Sequence, residues 1–268
     1  MKRLLSALAL AGILMGCRGR IGDDEAIRSL MESDPLFNIL GVIDGQPETT
    51  SILLAGPQNW YRKIYRDSVV KTYTINVVGD SAYVIAKWYL TGELRVITGY
   101  DAVGDTLTYV SKPLHDVAER HAIFRKVRRR WRLSKITGLK LYPQSGTPAF
   151  TVDSLVVIGS SSGTKVFRDP LTFLDTSDIF YSPGESVEVR AYVSLPDTLF
   201  GYIHHWRGRH HRDAMDHDST SGYLVRTYTL TTTPGRYNAV ADFLQKESLD
   251  PASTTYLSVA WGFPYIVR

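Results

Sequence analysis

The chain of 268 residues contains a single cysteine, Cys17, so no disulfide can form within it and the fold must be stabilised by packing. It also lacks an apolar run of the roughly 20 residues that a bilayer-spanning helix requires. Charge of one sign is not in large excess, because the chain has 31 basic and 27 acidic residues and a net charge of +4. So small an excess does not indicate a nucleic-acid-binding protein.

Several catalytic motifs are absent too: the sequence contains no His-Glu-x-x-His, no phosphate-binding loop and no dinucleotide fingerprint. The segment Gly159-Ser-Ser-Ser-Gly163 matches the letters of a nucleophile elbow, but no helical pattern follows it, so it is interpreted as a turn. These absences favour a protein that is not an enzyme, and the sequence predicts no cofactor.

The first seventeen residues have the pattern of a secretory signal. Lys2 and Arg3 precede the apolar run Leu4–Met15, and Leu14-Met15-Gly16-Cys17 follows. This tail resembles the bacterial lipobox, which implies that a diacylglyceryl group is attached to the Cys17 thiol and that cleavage leaves this residue acylated at the new N-terminus. Residues 1–16 are then a signal peptide, and residues 17–22 form a short lipidated tether. The alternatives are an ordinary secreted protein and a single-pass anchor, for which the run is too short.

The lipobox resemblance implies a location in the bacterial cell envelope, with the membrane as a partner through the N-terminal lipid. Arg18 follows the cysteine, whereas an aspartate there would resemble an inner-membrane retention signal. The outer membrane is therefore favoured in an organism with two membranes. Loss of Lys2 and Arg3 with the signal peptide lowers the net charge from +4 to +2, so no nucleic-acid partner is expected.

Residues 23–142 begin with helical spacing from Asp23 to the breaker Pro35, and a second helix is predicted around 60–64. From Val69 the apolar residues alternate with period two, which predicts an antiparallel meander. The closing segment 121–136, with a basic turn, a tryptophan and an alternating strand, resembles the last hairpin of nuclear-transport-factor-like and ketosteroid-isomerase-like folds. The resemblance implies an α+β cone-like domain of helices and a curved antiparallel sheet.

A segment rich in turn-forming residues, 143–150, is predicted to link this domain to a second one at 151–268. Alternation over Val187–Val193 is typical of a strand with one buried and one solvated face. The segment Pro234-Gly-Arg-Tyr237 resembles the start of strand F of immunoglobulin-like domains, where a tyrosine corner is common. The second half is therefore predicted to be an all-β immunoglobulin-like sandwich.

Five of the seven histidines lie between residues 204 and 217. If Arg207-Gly208 is the tip of a hairpin, His205 faces His210 and His204 faces His211, whereas a three-residue loop that ends at Gly208 would realign every pair. This segment is the candidate partner-binding loop, which consists of His204, His205, Trp206, Arg207, Arg209, His210 and His211.

Three interpretations of the loop remain open. His205, His210, His217 and Asp213 are candidate ligands for zinc, copper or nickel, although three arginines in the same segment oppose a divalent cation. A pH-sensitive contact with an anionic partner is the second interpretation. The third is a solvated hairpin without a binding role, with Trp206 packed on the sandwich.

Two further features need an explanation. Six of the eight residues at 125–132 are basic, which suits either anionic lipid headgroups or a solvated turn. A cone fold also implies a pocket, for which the candidate residues are Tyr83, Tyr89, Asp101, His115 and Asp116. The function favoured by the sequence is a non-catalytic binding or scaffolding protein of the envelope, with a protein or a glycan as partner. The alternatives are a small-molecule carrier or enzyme that uses the pocket, and a metal-binding lipoprotein.

Overall fold

The computed structural model describes residues 22–44, 60–101 and 106–268, and strands dominate these segments. Of these described residues, 61% are in strands and 12% in α-helices and 3-10 turns. The helices are α1 (Asp23–Ser33), α2 (Leu40–Ile43) and α3 (Lys246–Leu249). Short 3-10 turns lie at Pro35–Phe37, Arg66–Ser68 and Pro196–Thr198. Cys17 and the predicted signal peptide and tether lie outside the described residues, apart from Gly22.

Twelve strands form the first sheet. They are β1 (Trp60–Ile64), β2 (Val70–Val78), β3 (Ser81–Asp101), β4 (Thr106–Val127), β5 (Arg130–Thr137), β6 (Leu139–Pro143), β9 (Phe173–Asp175), β10 (Phe180–Tyr181), β12 (Leu199–Trp206), β13 (His210–Ala214), β16 (Gly235–Gln245) and β17 (Ser258–Val267). The second sheet consists of β7 (Val152–Gly159), β8 (Gly163–Phe167), β11 (Ser186–Val193), β14 (Asp216–Asp218) and β15 (Tyr223–Thr229).

The first sheet continues across the predicted linker. Its main path runs β1-β3-β4-β6-β17-β16-β12-β13, so β6 from the first half pairs with β17, the last strand of the second half. The path curls into a half-barrel whose two ends approach each other. There the Arg212 guanidinium of β13 lies 4.3 Å from the Trp60 ring of β1 and donates to the Trp60 carbonyl oxygen.

Each face of the curled sheet has its own apolar core. On the concave face, α1, the 3-10 turn at Pro35–Phe37 and α2 pack against β3, β4 and β6 through residues such as Met31, Phe37 and Trp88. On the convex face, β12, β16 and β17 pack against the second sheet through residues such as Ile203, Phe243 and Val189. Strands covered on both faces carry almost continuous apolar residues, as in the buried run of β16.

The predicted fold class is wrong for residues 23–142. The segment is not an α+β cone-like domain, because its helices are short and its strands belong to the mostly β half-barrel. The predicted helix around 60–64 is β1, which pairs with β3 along its whole length. The helix predicted from Asp23 is confirmed as α1.

The second half is compatible with an immunoglobulin-like sandwich, in which two β-sheets pack face to face. The Tyr237 hydroxyl donates to the Thr233 carbonyl oxygen at 3.0 Å, four residues upstream, as the predicted tyrosine corner requires. The serine segment at 159–163 is the turn between β7 and β8, and no helix follows it. Glu185 accepts hydrogen bonds from the Ser161 and Ser162 amides of this turn.

Candidate functional site

The histidine-rich segment forms a hairpin of β12 and β13 with a three-residue loop, Arg207–Arg209. Trp206 lies opposite His210, and His205 lies opposite His211. The predicted register, with a two-residue tip at Arg207-Gly208, is therefore displaced by one position. The loop needs a residue with positive φ at its centre, and Gly208 has a φ of +75°.

The displaced register puts different histidines together. The His205 and His211 rings stack across the hairpin with centroids 5.5 Å apart, and the His204 and His210 rings lie 5.4 Å apart on the opposite face. His204 and His205 are both buried, with 3% and 2% of their surface exposed. The hairpin is therefore part of the wall between the two cores rather than a solvated loop.

On the face turned toward the second sheet, His205 hydrogen-bonds through Nε2 to Asp213 Oδ2 at 3.0 Å. Its ring centroid also lies 4.2 Å from that of Tyr228 on β15. The pKa of the Asp213 carboxyl is lowered, chiefly by its hydrogen bond with His205. These contacts hold the hairpin against the sandwich.

On the concave face, the two histidines are held in neutral form. Burial lowers the pKa of His204, although Asp242 Oδ2 lies 3.1 Å from its Nε2. Burial, with a smaller contribution from His204, lowers the pKa of His210 to about 3, and the His210 Nε2 donates to the Val42 carbonyl oxygen at 2.6 Å. Burial thus disfavours the charged form of both rings, which argues against these two residues as the pH-sensitive contact.

The four candidate metal ligands are not brought together. His205 contacts Asp213, but His210 lies on the other face of the hairpin and His217 is 3.2 Å from Asp197. Within the described segments, no group of three or more His, Cys, Asp or Glu side chains is placed to hold a metal ion.

An open groove runs along the rim of the half-barrel beside the hairpin. One end is a cleft of about 350 Å³ lined by Pro35, Asn38, Gly41, Val42, Trp206, Gly235, Arg236, Tyr237 and Asn238. The other end is a cleft of about 550 Å³ lined by Leu30, Ser33, Asp34, Pro35, Phe124, Trp131, Arg132, Leu133 and Arg236. Pro35 and Arg236 belong to both walls, so we call the two clefts together the rim groove.

Trp206 is the hairpin residue that faces this groove with an exposed ring. It is 38% exposed, in contrast to the predicted packing on the sandwich. The loop residues Arg207 and Arg209 are also exposed. On the opposite wall, Arg236 forms an ion pair with Asp34. An exposed tryptophan beside arginines is the composition that protein interfaces favour at their centres.

The interior contains a charged network that sequence reasoning missed. The Arg62 guanidinium donates to both carboxylate oxygens of Asp242, with Nη2 to Oδ1 at 2.9 Å, and its Nε donates to the Tyr256 hydroxyl at 3.0 Å. That hydroxyl donates in turn to Asp116 Oδ2 at 2.6 Å. The network joins strands of both halves of the chain: β1, β4 and β16.

The pKa values of the two carboxyl groups in this network are shifted in opposite directions. Burial raises the pKa of Asp116 to about 7, with partial compensation from Arg62 and the Tyr256 hydrogen bond. Burial acts in the same direction on Asp242, but the Arg62 charge and hydrogen bonds outweigh it and hold the pKa of Asp242 below its usual range. Because Arg62 is 1% exposed and both aspartates are fully buried, the network ties strands together and meets no solvent-borne substrate.

Among the pocket candidates whose side chains the structure describes, Asp116 lies in the interior, whereas the other three are exposed. Tyr83 and Tyr89 are each 38% exposed, His115 is exposed, and Asp101 lies at the end of β3. Trp60, Trp88 and Trp131 are buried, and the side chains of α1 and α2 cover the concave face. The arrangement expected for a carrier or an enzyme of the cone type is therefore not present in the described part of the chain.

Comparison of the chain with protein-family models, curated proteins and solved structures finds no match. In the segments that the structure describes, no helix is both long and apolar enough to cross a bilayer.

Proposed function

We propose that the protein is a non-catalytic binding protein of the bacterial cell envelope, anchored by a lipid on Cys17, and that the rim groove is its contact surface. The observation that carries the proposal is the exposed Trp206 ring at the edge of a cleft of about 350 Å³. A tryptophan contributes a large apolar area at a small entropic cost, which is why it dominates many interfaces.

The geometry favours binding over catalysis because the titratable groups of the interior network are sealed. Asp116, Asp242 and His204 lie in the interior with at most 3% of their surface exposed. The groove instead offers aromatic and guanidinium groups, namely Trp206, Tyr237 and Arg236. Such groups provide affinity and orientation without a general acid or base.

The partner that this composition suits is an envelope protein or a glycan that presents anionic groups beside an apolar surface. Arg207 and Arg209 of the loop supply positive charge beside the Trp206 ring, whereas Arg236 of the groove is paired with Asp34. Guanidinium groups pair in bidentate fashion with carboxylates and phosphates. The aromatic ring supplies the apolar part of the contact.

Replacement of Trp206 by alanine tests the proposal better than replacement of the histidines, since His204 and His205 are buried and their loss would disturb the hairpin itself. We expect cross-linking in intact envelopes, read by mass spectrometry, to recover a partner with the wild-type chain. The yield should fall at least about 10-fold with Trp206→Ala, the loss typical of an interface tryptophan. The matched control is Tyr89→Ala, which removes an equally exposed ring from β3.

Equal recovery with Trp206→Ala and Tyr89→Ala would contradict the assignment of the groove as the contact surface. The anchor is tested in the same strains by incorporation of labelled palmitate into the protein. Incorporation should be lost in Cys17→Ser, and a wild-type protein without label would contradict the lipoprotein assignment.

A further inference from the structure

The two turns at one end of the first sheet form a basic surface, which we call the basic tip and define as residues 78–81 and 125–132. Ser81 pairs with Arg125, and Arg125 pairs with Arg132, so the β2–β3 and β4–β5 turns lie side by side. The Lys126 amide donates to the Asp80 carbonyl oxygen at 2.8 Å, which joins them. The surface exposes five guanidinium groups: Arg125, Arg128, Arg129, Arg130 and Arg132.

The β4–β5 turn holds two of these arginines in an unfavourable backbone conformation. Arg128 and Arg129 have φ angles of +49° and +66°, and they are the two central residues of a two-residue turn. Such turns favour Asn-Gly, because a side chain with a Cβ pays roughly 1–2 kcal/mol in the left-handed region. Strain of this kind, kept where a common dipeptide would remove it, points to a role for the side chains themselves.

The basic tip also exposes aliphatic side chains. Val78 is 71% exposed and Val127 is 46% exposed, on adjacent turns among the arginines. Apolar side chains interspersed with cations are the composition of surfaces that lie against the headgroup region of a bilayer.

The basic tip lies against the first residue of α1. Asp23, the first residue of α1, accepts hydrogen bonds at Oδ1 from Lys126 Nζ at 2.8 Å and from Trp131 Nε1 at 2.9 Å. Five residues separate Cys17 from Asp23, and six steps of no more than about 3.5 Å span at most about 20 Å. A lipid on Cys17 would therefore hold Asp23, which contacts Lys126 and Trp131 of the tip, within about 20 Å of the membrane surface.

We propose that the basic tip docks on an anionic lipid surface and so fixes the orientation of the protein on the membrane. The orientation rests on the proposed Cys17 anchor, whereas the affinity of the tip for anionic lipid does not. Asp23 neutralises Lys126, and the other acids of the adjoining segments are Asp24, Glu25 and Asp80. The six basic residues of 125–132 outnumber these four acids, so the surface keeps an excess of positive charge.

Docking is tested with the full chain carrying Cys17→Ser, so that no acyl chain contributes. Co-sedimentation compares vesicles of phosphatidylcholine with vesicles of phosphatidylcholine mixed with phosphatidylglycerol. The readout is the ratio of the two affinities, and this ratio is compared between variants, because Lys2 and Arg3 of residues 1–16 contribute equally to every variant. We expect the anionic vesicles to bind more tightly, with a preference that disappears as salt is added.

The deciding variant is Arg128→Asn with Arg129→Gly, which removes two charges and also relieves the turn, so that folding is preserved. Each basic residue near an anionic surface contributes about fivefold in affinity, so the preference should fall roughly 10- to 30-fold. Lys71→Gln with Arg168→Gln removes two exposed charges outside the tip and should leave the preference unchanged.

Equal preferences for the two double variants would overturn the proposal, as would wild-type binding that does not distinguish the two vesicles. A protein that fails to incorporate palmitate yet prefers anionic vesicles would contradict the anchor and leave the docking surface standing. The two proposals are therefore separable.

Discussion

At the scale of single residues, Asp116 and Asp242 differ in how strongly the fold favours their ionised forms. Asp116 and Asp242 lie in the same buried network. Asp242 receives two hydrogen bonds and the charge of Arg62 as well as a hydrogen bond from His204, whereas Asp116 receives one hydrogen bond from Tyr256. Ionisation is therefore favoured at Asp242 and opposed at Asp116. The two carboxyl groups should affect stability in opposite directions.

The stability of Asp116→Asn relative to the wild-type protein should increase as the pH rises. The pKa of this carboxyl is about 7 in the fold and close to 3.8 in the unfolded chain, so wild-type stability is lost between these pH values as the unfolded state ionises first. The variant lacks this loss, and the difference in unfolding free energy should reach about 4 kcal/mol above pH 7. Urea denaturation of both proteins at several pH values measures it.

Asp242→Asn is the matched control, with the opposite sign. It leaves the Arg62 cation buried without its counter-ion, and should destabilise the protein by about 3–5 kcal/mol at neutral pH. If the difference in unfolding free energy between Asp116→Asn and the wild type stays constant from pH 4 to pH 8, the Asp116 carboxyl does not have the raised pKa.

Among individual residues, the sequence predicted local roles better than distant ones. The Tyr237 corner is predictable because its bond reaches only four residues upstream. Arg62 and Asp242 were not predictable as partners, since they are 180 residues apart and belong to different halves of the chain. A charged residue within an apolar strand, as Asp242 is within β16, is the signal that such a partner exists.

Among the elements, the β12–β13 hairpin shows how much depends on register. A displacement by one residue moves every side chain to the other face of a strand, so the loop length decides which histidines meet. The sequence offered a two-residue tip and a loop ending at Gly208, and the structure has Arg207–Arg209 instead. Composition predicted a hairpin here but not its burial, which is imposed by cores on both of its faces.

Tyr237→Phe tests the corner of β16 as a structural element. The substitution removes the hydroxyl that bonds to the Thr233 carbonyl oxygen and keeps the ring in the groove wall. We expect the unfolding free energy to fall by about 1 kcal/mol, the usual contribution of one hydrogen bond. Chemical denaturation gives the value, and Tyr89→Phe on the half-exposed surface of β3 should have no effect; equal stability of the two variants would contradict the role of the corner.

For the whole molecule, the decisive feature is the sheet shared by both halves. Two cores lie on opposite faces of it, so β12, β16 and β17 belong to the half-barrel and the sandwich together. The sequence does not show this, because the pairing of β6 with β17 links residues more than a hundred positions apart. The helical spacing and the meander of the first half predicted a separate α+β domain. Periodicity indicates the type of each segment, but it does not indicate which distant strand that segment pairs with.

We expect the full chain to unfold in a single cooperative transition, and a fragment of residues 151–268 to lack a stable monomeric fold. The fragment would expose the concave face of β12, β16 and β17, which includes Tyr202, Val240 and Leu244, and would leave β17 without its neighbour β6. Circular dichroism and size-exclusion chromatography report the outcome. A monomeric fragment that melts near the temperature of the full chain would contradict it.

The position of the N-terminal helices has a consequence for the time at which the fold can form. The buried Arg120 donates to Asn238 of β16 at 2.9 Å, and Asn238 donates to the Leu36 carbonyl oxygen at 3.2 Å, so the turn at Pro35–Phe37 is held by a strand that is synthesised about 200 residues later. Contacts of such high contact order make folding slow, on the scale of milliseconds to seconds or longer. During vectorial synthesis the helices can pack on β3 and β4 first, whereas the hydrogen bond between Asn238 and Leu36 can form only after β16 has emerged.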